Sequence, residues 1–295
     1  ENTLEAVARE FHAKQRSSWS DVYAEKWIRS FELHAFPALG RLPLSVITAP
    51  MILDVLRKVE NTGATDMAHR LRQNIGQCFR YGVQTGRCER NPADDLRGAL
   101  KPHTVKHMAA ITDPKEVGGL MRAIDSYSGT IHTRIALALS ALWFQRPGNI
   151  RQLQWAWIDF DKAMLTIPSM DMKRTKAAKI NGRPHLVPLA RQAIALLQEI
   201  QPYSGRGKYV FPSVRSNSPM SDNTINAALR RMGYTSDDMT AHGFRSLGRT
   251  VIGENLPGIH HDVVEAQLAH GKSGPLGAAY DRAEYMAQRV KMMQV

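Results

Sequence analysis

The chain has 295 residues, 43% of them hydrophobic, and its 39 Lys and Arg outweigh 27 Asp and Glu to give a formal net charge of +12. That length accommodates about two ordinary domains with proper cores, and the excess of positive charge points to a polyanionic partner, nucleic acid first, over a basic protein merely tuned for solubility. Two cysteines exclude a disulfide framework and fit a reducing compartment, the cytoplasm; no apolar run nears the roughly 20 residues that span a bilayer and no signal-peptide pattern is present, so no membrane partner is expected.

The chain opens at Glu1 inside a helix-starting pattern, which reads as a piece of a longer protein. Residues 1–100 read as helices. Leu4, Val7, Ala8 and Phe11 recur at helical spacing, and Ser20 caps a second helix with the stripe Tyr23, Ala24, Trp27, Ile28 and Phe31. A connector containing Pro and Gly runs from Phe36 to Ser45. Thr48 with Pro50 opens a third helix, in which Met51, Val55, Leu56 and Val59 face inward and Asn61–Gly63 ends the run. A fourth extends from Thr65 to Gln84, with Leu71, Ile75, Cys78 and Phe79 on its apolar side. Arg70, Gln73, Gln77 and Arg80 share another face, suited to phosphates and base edges or simply to solvent. Asn91-Pro92 ends the block. Residues 101–110, with Lys101 and Lys106, read as an exposed basic linker. His103 and His107 are four apart there, but no Cys or carboxylate accompanies them, and they read as solvated rather than metal-binding.

Thr112-Asp113-Pro114 starts the second block with a cap and a first-turn proline, and helices are predicted to about Tyr127 and from Thr130 to Gln145. The pattern then changes. Trp157 to Phe160, a turn at Asp161-Lys162, Met164 to Ile167 and His185 to Leu189 predict a small antiparallel sheet. Helices return over 191–200, 222–232, 242–256 and 262–269. The expected class is mainly α with a small antiparallel β-sheet: a helical domain over 1–100, a linker over 101–110 and an α+β domain over 111–295.

Four separated features carry chemistry. Arg146 emerges at the break Phe144-Gln145-Arg146-Pro147-Gly148-Asn149-Ile150. Lys173 lies with Arg174, Lys176 and Lys179 on the excursion between two short strands. His242-Gly243-Phe244-Arg245 follows a Thr240 cap. Leu268-Ala269-His270 precedes Ala279-Tyr280. Each alone has a plain structural reading: an Arg satisfying helix carbonyls, a His closing a helix, a core Tyr.

In order, however, Arg, hairpin Lys, His-x-x-Arg, His and Tyr resemble the catalytic domain of the tyrosine recombinases. Arg-Pro-Gly followed by Leu153 and Trp155, His-Leu-Val-Pro-Leu at 185–189, Met220 to Thr224, Gln267 to His270 and Ala279 to Tyr285 are similar to the integrases of satellite phages and genomic islands. The resemblance covers about residues 111–295, and the helical block ending at Asn91-Pro92-Ala93 is similar to the family's core-binding domain. It implies a site-specific recombinase that cleaves and rejoins DNA through a covalent 3′-phosphotyrosine. Tyr280 would be the nucleophile, Arg146 and Arg245 the forked donors that neutralise phosphate charge, and His242 the base. Lys173 would protonate the leaving 5′-oxygen, and His270 would hydrogen-bond the scissile phosphate. The implied partners are double-stranded DNA attachment sites, further copies of the chain up to a tetramer on DNA, and accessory DNA-bending proteins. The implied form is a clamp, with the 101–110 linker crossing the duplex edge. DNA contacts are expected from Arg70, Gln73, Gln77, Arg80, Lys101, Lys106, Arg174 and Lys176. No cofactor is expected: the sequence has no carboxylate cluster for Mg²⁺, no zinc spacing and no phosphate-binding Gly-Lys loop.

The chain departs from the pattern at Asn149, where the family usually has an acid. The hairpin is long, so that Lys176 or Lys179 competes with Lys173. Tyr285 is a second candidate nucleophile. The 281–295 tail, with Met286, Val290 and Met293 recurring, packs either on its own domain or on a neighbouring protomer. Competing functions are a nicking-closing enzyme of the type IB topoisomerase kind, a DNA-binding accessory protein without catalysis, and a helical RNA-binding module, for which no RNA motif is present.

Overall fold

The computed structural model describes residues 2–102, 108–214, 216–270 and 285–295. The chain divides into two compact units, Glu1–Lys106 with Thr175–Ala177, and His107–Arg174 with Ala178–Val295.

The first unit is helical. α1 (Leu4–Gln15) starts at Thr3, whose hydroxyl accepts from the Ala6 N–H, and α2 (Asp21–Ser30) starts at Ser20, which caps Tyr23 in the same way. Trp27 and Phe31 are buried, whereas Tyr23 stays at the exposed edge. The expected connector from Phe36 begins as helix instead: a π turn over Phe31–Ala35 runs into α3 (Phe36–Leu39). Pro37 has no N–H for the carbonyl four residues back, and the hydrogen-bond ladder changes register at that point. α4 (Ala49–Glu60) buries Ile52, Val55, Leu56 and Val59, so the inward place assigned to Met51 belongs to Ile52. Those four fall at i, i+3, i+4 and i+7, the spacing of a single face. α5 (Thr65–Gln84) buries Leu71, Ile75, Cys78 and Phe79. The expected linker start is held at the backbone, because the Lys101 N–H donates to Glu60 and the Lys101 carbonyl bonds His69.

The second unit surrounds α7 (Ile131–Trp143), which buries Ile135, Ala136, Leu137, Leu139 and Trp143 against α6 (Pro114–Asp125), α10 (Arg191–Ser204), α11 (Thr224–Arg231) and α12 (Gly243–Asn255). Asp113 caps α6 and Thr130 caps α7. β1 (Ile158–Asp159), β2 (Met164–Ile167) and β3 (His185–Pro188) form one antiparallel sheet in that order, with Leu165 opposite Val187. Between β2 and β3 lie a 3₁₀ turn (Ser169–Asp171) and α9 (Lys176–Asn181), a helix the sequence reading did not anticipate. α8 (Pro147–Arg151) follows α7, and α13 (His261–Gln267) follows α12. The tail helix (Met286–Gln294) lies on α13 and β3 of its own chain. Its buried residues are Arg289 and Met292; of the expected stripe Met286 is half-buried and Met293 packs against the core, but Val290 is 48% exposed. Arg289 is a polar residue that hydropathy turns outward but hydrogen bonding draws inward. Among the described residues no helix is long and apolar enough to cross a membrane.

Candidate active site

The site is built on two turns that end helices in the left-handed region. α7 ends at Phe144 with φ 57°, and the chain after α13 turns at Ala269 with φ 50°. Neither is glycine, so each conformation costs about 1–2 kcal/mol. The first turn makes Arg146 the cap residue of α8, and the second brings the His270 N–H back to the Glu265 carbonyl at 3.0 Å.

Arg245, in the first turn of α12 and 3% exposed, clamps both turns. Its Nη1 donates to the Phe144 carbonyl at 2.8 Å, and its Nη2 donates to the Leu268 carbonyl at 2.7 Å and to His270 Nε2 at 2.7 Å. A guanidinium has donors only, so His270 Nε2 is the acceptor. The proton of the neutral ring therefore sits on Nδ1, which donates to Glu265 at 2.6 Å. Glu265 in turn lies 2.7 Å from Arg249 Nε. Gly248 is required one turn along α12: a Cβ there would stand 2.1 Å from the Phe144 ring.

Positive charge gathers around this clamp. Burial, then the neighbouring Arg146, brings the Arg245 guanidinium down to about 10. Burial, then Arg174, also holds Arg146 below the usual arginine range. Arg146 is half-buried, and among the described residues its guanidinium has no hydrogen bond or ion pair, while its carbonyl accepts from the Asn149 and Ile150 N–H groups. His242, at the start of α12, is held below the usual imidazole range by burial first, and then by Arg245, Arg146, Lys173 and His270. These influences place the hairpin lysine at 173 within electrostatic reach of His242. A set of cations running from buried Arg245 through half-buried Arg146 to exposed Lys173, with His242 among them, suits an incoming phosphodiester, whose charge offsets the repulsion.

A buried amide network ties these segments together. Gln145 Nε2 donates to the Trp143 carbonyl at 3.0 Å and to the Gln267 carbonyl at 2.7 Å. Gln267 Oε1 accepts from Arg289 Nε at 3.0 Å and Nη2 at 2.9 Å, and Arg289 also donates to the Leu186 carbonyl. His185 Nε2 donates to the Gln267 carbonyl at 3.2 Å. Gln145 and Gln267 thus brace the residues immediately before Arg146 and just before His270. Burial first, and Arg289 next, push His185 down from 6.5 to about 3. The unfolded state then binds the proton that the folded state refuses, so stability is lost as pH falls below 6.5. Between pH 7 and pH 5 this group is expected to remove about 2 kcal/mol. Urea unfolding of His185→Gln at both pH values checks it, the variant losing correspondingly less than the parent on acidification.

The other proposed contact residues are dispersed. Arg70 and Arg80 on α5 are exposed and pair with Asp66 at 2.8 Å and Asp94 at 3.8 Å. Gln73 is exposed. Gln77 is occupied internally, its Oε1 accepting from Trp27 Nε1 at 2.8 Å. Arg174 braces the hairpin through Ser169 Oγ at 2.8 Å and the Arg183 carbonyl at 2.6 Å, and Lys176 opens α9. Tyr280, Lys106, His103 and His107 lie outside the described residues. Tyr285 is described and packs beside Ile252, Val263 and Met292. Among the described residues no three His, Cys, Asp or Glu are placed to hold a metal ion. Sequence reasoning missed Glu265 and Arg289: Arg289 has its partners on other segments, and Glu265 joins His270, five residues on, to Arg249 of α12, with no local motif marking either.

Guanidiniums, a histidine and a lysine gathered on this scaffold form a cationic site suited to a phosphodiester. Residues 4–99 match the phage integrase central domain, and residues 110–285 match the phage integrase family. The chain is 35% identical over 302 residues to the integrase of Enterobacteria phage P4, covering 99% of this chain and 68% of that protein. A lambda integrase (75–356) dimer bound to a COC′ core site has the same fold, with TM-score 0.70, 19% identity and coverage of 95% of this chain and 98% of that one. A lambda integrase tetramer bound to a Holliday junction matches with TM-score 0.69, 19% identity and coverage of 96% and 80%. The chain belongs to the phage integrase family of tyrosine recombinases, site-specific enzymes that break and rejoin DNA.

Proposed function

We propose that this chain exchanges strands between two double-stranded attachment sites, integrating or excising a mobile element, and that Tyr280 carries the broken strand. The observation that supports this most is the Arg245 clamp, which from the first turn of the helix that His242 opens holds the Phe144 turn ahead of Arg146, the Leu268 carbonyl and His270 Nε2 together. The Tyr280 oxygen attacks phosphorus while its proton passes to His242. Arg146 and Arg245 take up the charge growing on the non-bridging oxygens; His270, expected from the sequence to hold the phosphate, has its Nε2 on Arg245 and its Nδ1 on Glu265, and steadies Arg245 instead. The P–O5′ bond breaks, and the Lys173 ammonium supplies the proton to the leaving oxygen. The reverse attack by a 5′-hydroxyl on the phosphotyrosine rejoins the strand.

Exchange between two duplexes requires several active sites. A homotetramer on DNA fits the lambda integrase tetramer bound to a Holliday junction; the cytoplasm as its place and accessory DNA-bending proteins as its helpers complete the proposal. Arg70, Gln73, Arg80, Lys101, Lys106, Arg174 and Lys176 would meet phosphates, and the structural bond of Gln77 leaves it a packing role. Incubation with two attachment-site duplexes tests the reading. Recombinant products and a four-way junction are expected; relaxation of supercoils without exchange would instead favour a nicking-closing enzyme.

His242 also predicts a pH dependence. Its depressed affinity keeps it neutral, and able to accept the tyrosine proton, below the ordinary imidazole value of 6.5. The acid limb of kcat/KM, which reports the free enzyme, is expected to fall below that value, and His242→Asn removes the limb.

A further inference from the structure

We infer that Asn149 is a positioning residue for proton delivery, acting through the segment between β2 and β3 that carries Lys173. The inference rests on Lys173 being the general acid. Asn149 is buried on α8, three residues after Arg146, and its Nδ2 donates to the Asp171 carbonyl at 3.0 Å. Asp171 precedes Lys173 by two residues. The residue between them, Met172, is buried in the domain core. On the other side of Lys173, Arg174 donates to Ser169 Oγ at 2.8 Å and to the Arg183 carbonyl at 2.6 Å, and Ser169 Oγ donates to the Ala178 carbonyl at 2.9 Å. Lys173 itself is exposed. Its backbone is therefore fixed on both sides while its ammonium is free to reach the site, and the first of these restraints comes from the helix that Arg146 caps. Lys176 and Lys179 lie beyond the brace, on α9.

The acceptor at Asp171 explains the residue type. A carbonyl needs a donor, which an amide has and a carboxylate lacks. An acid at 149 would set two acceptors 3 Å apart in a buried place. Asparagine here is thus matched to the path of this hairpin, and aspartate would release the Lys173 segment rather than improve the site.

Cleavage of one phosphodiester separates this role from a general loss of structure. The full chain is tested as parent, Asn149→Asp, Asn149→Leu and Lys173→Ala. The probes are two suicide duplexes that span the junction of the mobile element, with the cleavage position mapped from the covalent adduct. One duplex is all-oxygen; the other has sulfur in place of the bridging 5′-oxygen, and its thiolate departs without a proton. On oxygen, both Asn149 variants are expected to cleave about 10- to 100-fold more slowly than the parent, the scale of a small misplacement. On sulfur, both variants and Lys173→Ala are expected to return to within a few-fold of the parent. Asn149 variants that match the parent on oxygen, or stay slow on sulfur while Lys173→Ala is restored, would overturn the positioning role and leave Lys173 as the acid. Failure of sulfur to restore Lys173→Ala would remove the acid assignment itself, and the inference with it.

Discussion

Tyr280→Phe is expected to stop covalent capture of DNA, a fall on the order of 10⁴-fold or more, with DNA affinity and the unfolding midpoint unchanged. Phenylalanine keeps the ring and removes only the oxygen that bonds to phosphorus. No water-mediated route yields the same product, because rejoining needs the energy held in the phosphotyrosine bond. Tyr285→Phe is expected to retain cleavage, since Tyr285 packs in the small apolar cluster of α12, α13 and the tail helix. Suicide-duplex capture, followed by denaturing electrophoresis of both variants, checks the contrast.

Arg245→Ala is expected to fail twice over. Loss of a forked donor at the reacting phosphate costs about 10²–10³ in rate. The same change orphans the Phe144 and Leu268 carbonyls and the His270 nitrogen, all partners of Arg245. Leu268 is buried and Phe144 half-buried, whereas exposed His270 can turn to water, so at about 1–3 kcal/mol for an unpaired buried group the unfolding free energy falls by about 2 kcal/mol. The two left-handed turns then lose their clamp, and Arg146 and His270 lose their shared reference point. Arg245→Lys keeps the charge but has one nitrogen to span three acceptors, and it recovers neither property fully. Arg146→Ala is the control. Its side chain has no hydrogen-bond or ion-pair partner among the described residues and its backbone bonds survive the change, so a comparable loss of rate comes with a stability change of about 1 kcal/mol or less. Urea unfolding and single-turnover cleavage, measured side by side, distinguish the two arginines.

The sequence carried much of this arrangement because local signals are strong where caps and periodicity agree. α5 spans Thr65–Gln84 as the apolar stripe predicts, and Ser20, Asp113 and Thr130 cap the helices they precede. The order of Arg146, Lys173, His242, Arg245 and His270 is visible in the chain, although nothing local says that Arg245 will hold carbonyls 101 and 23 residues away. What stayed hidden depends on distant partners. Arg289 reads as a solvent residue until Gln267 and the Leu186 carbonyl are brought beside it, and its neighbour Val290 is left exposed. Gln77 reads as part of a DNA face until Trp27, 50 residues earlier, takes its oxygen. Asn149 reads as a lapse from the family's acid until the Asp171 carbonyl appears as its acceptor.

The central claim is that this cationic cluster directs one tyrosine, Tyr280, onto a DNA phosphate. The most direct measurement traps the chain on a suicide duplex, digests the adduct and sequences the peptide that retains nucleotide. The account predicts nucleotide on Tyr280 and no adduct from Tyr280→Phe. Nucleotide on Tyr285 or any other residue, or an adduct that survives Tyr280→Phe, would contradict it.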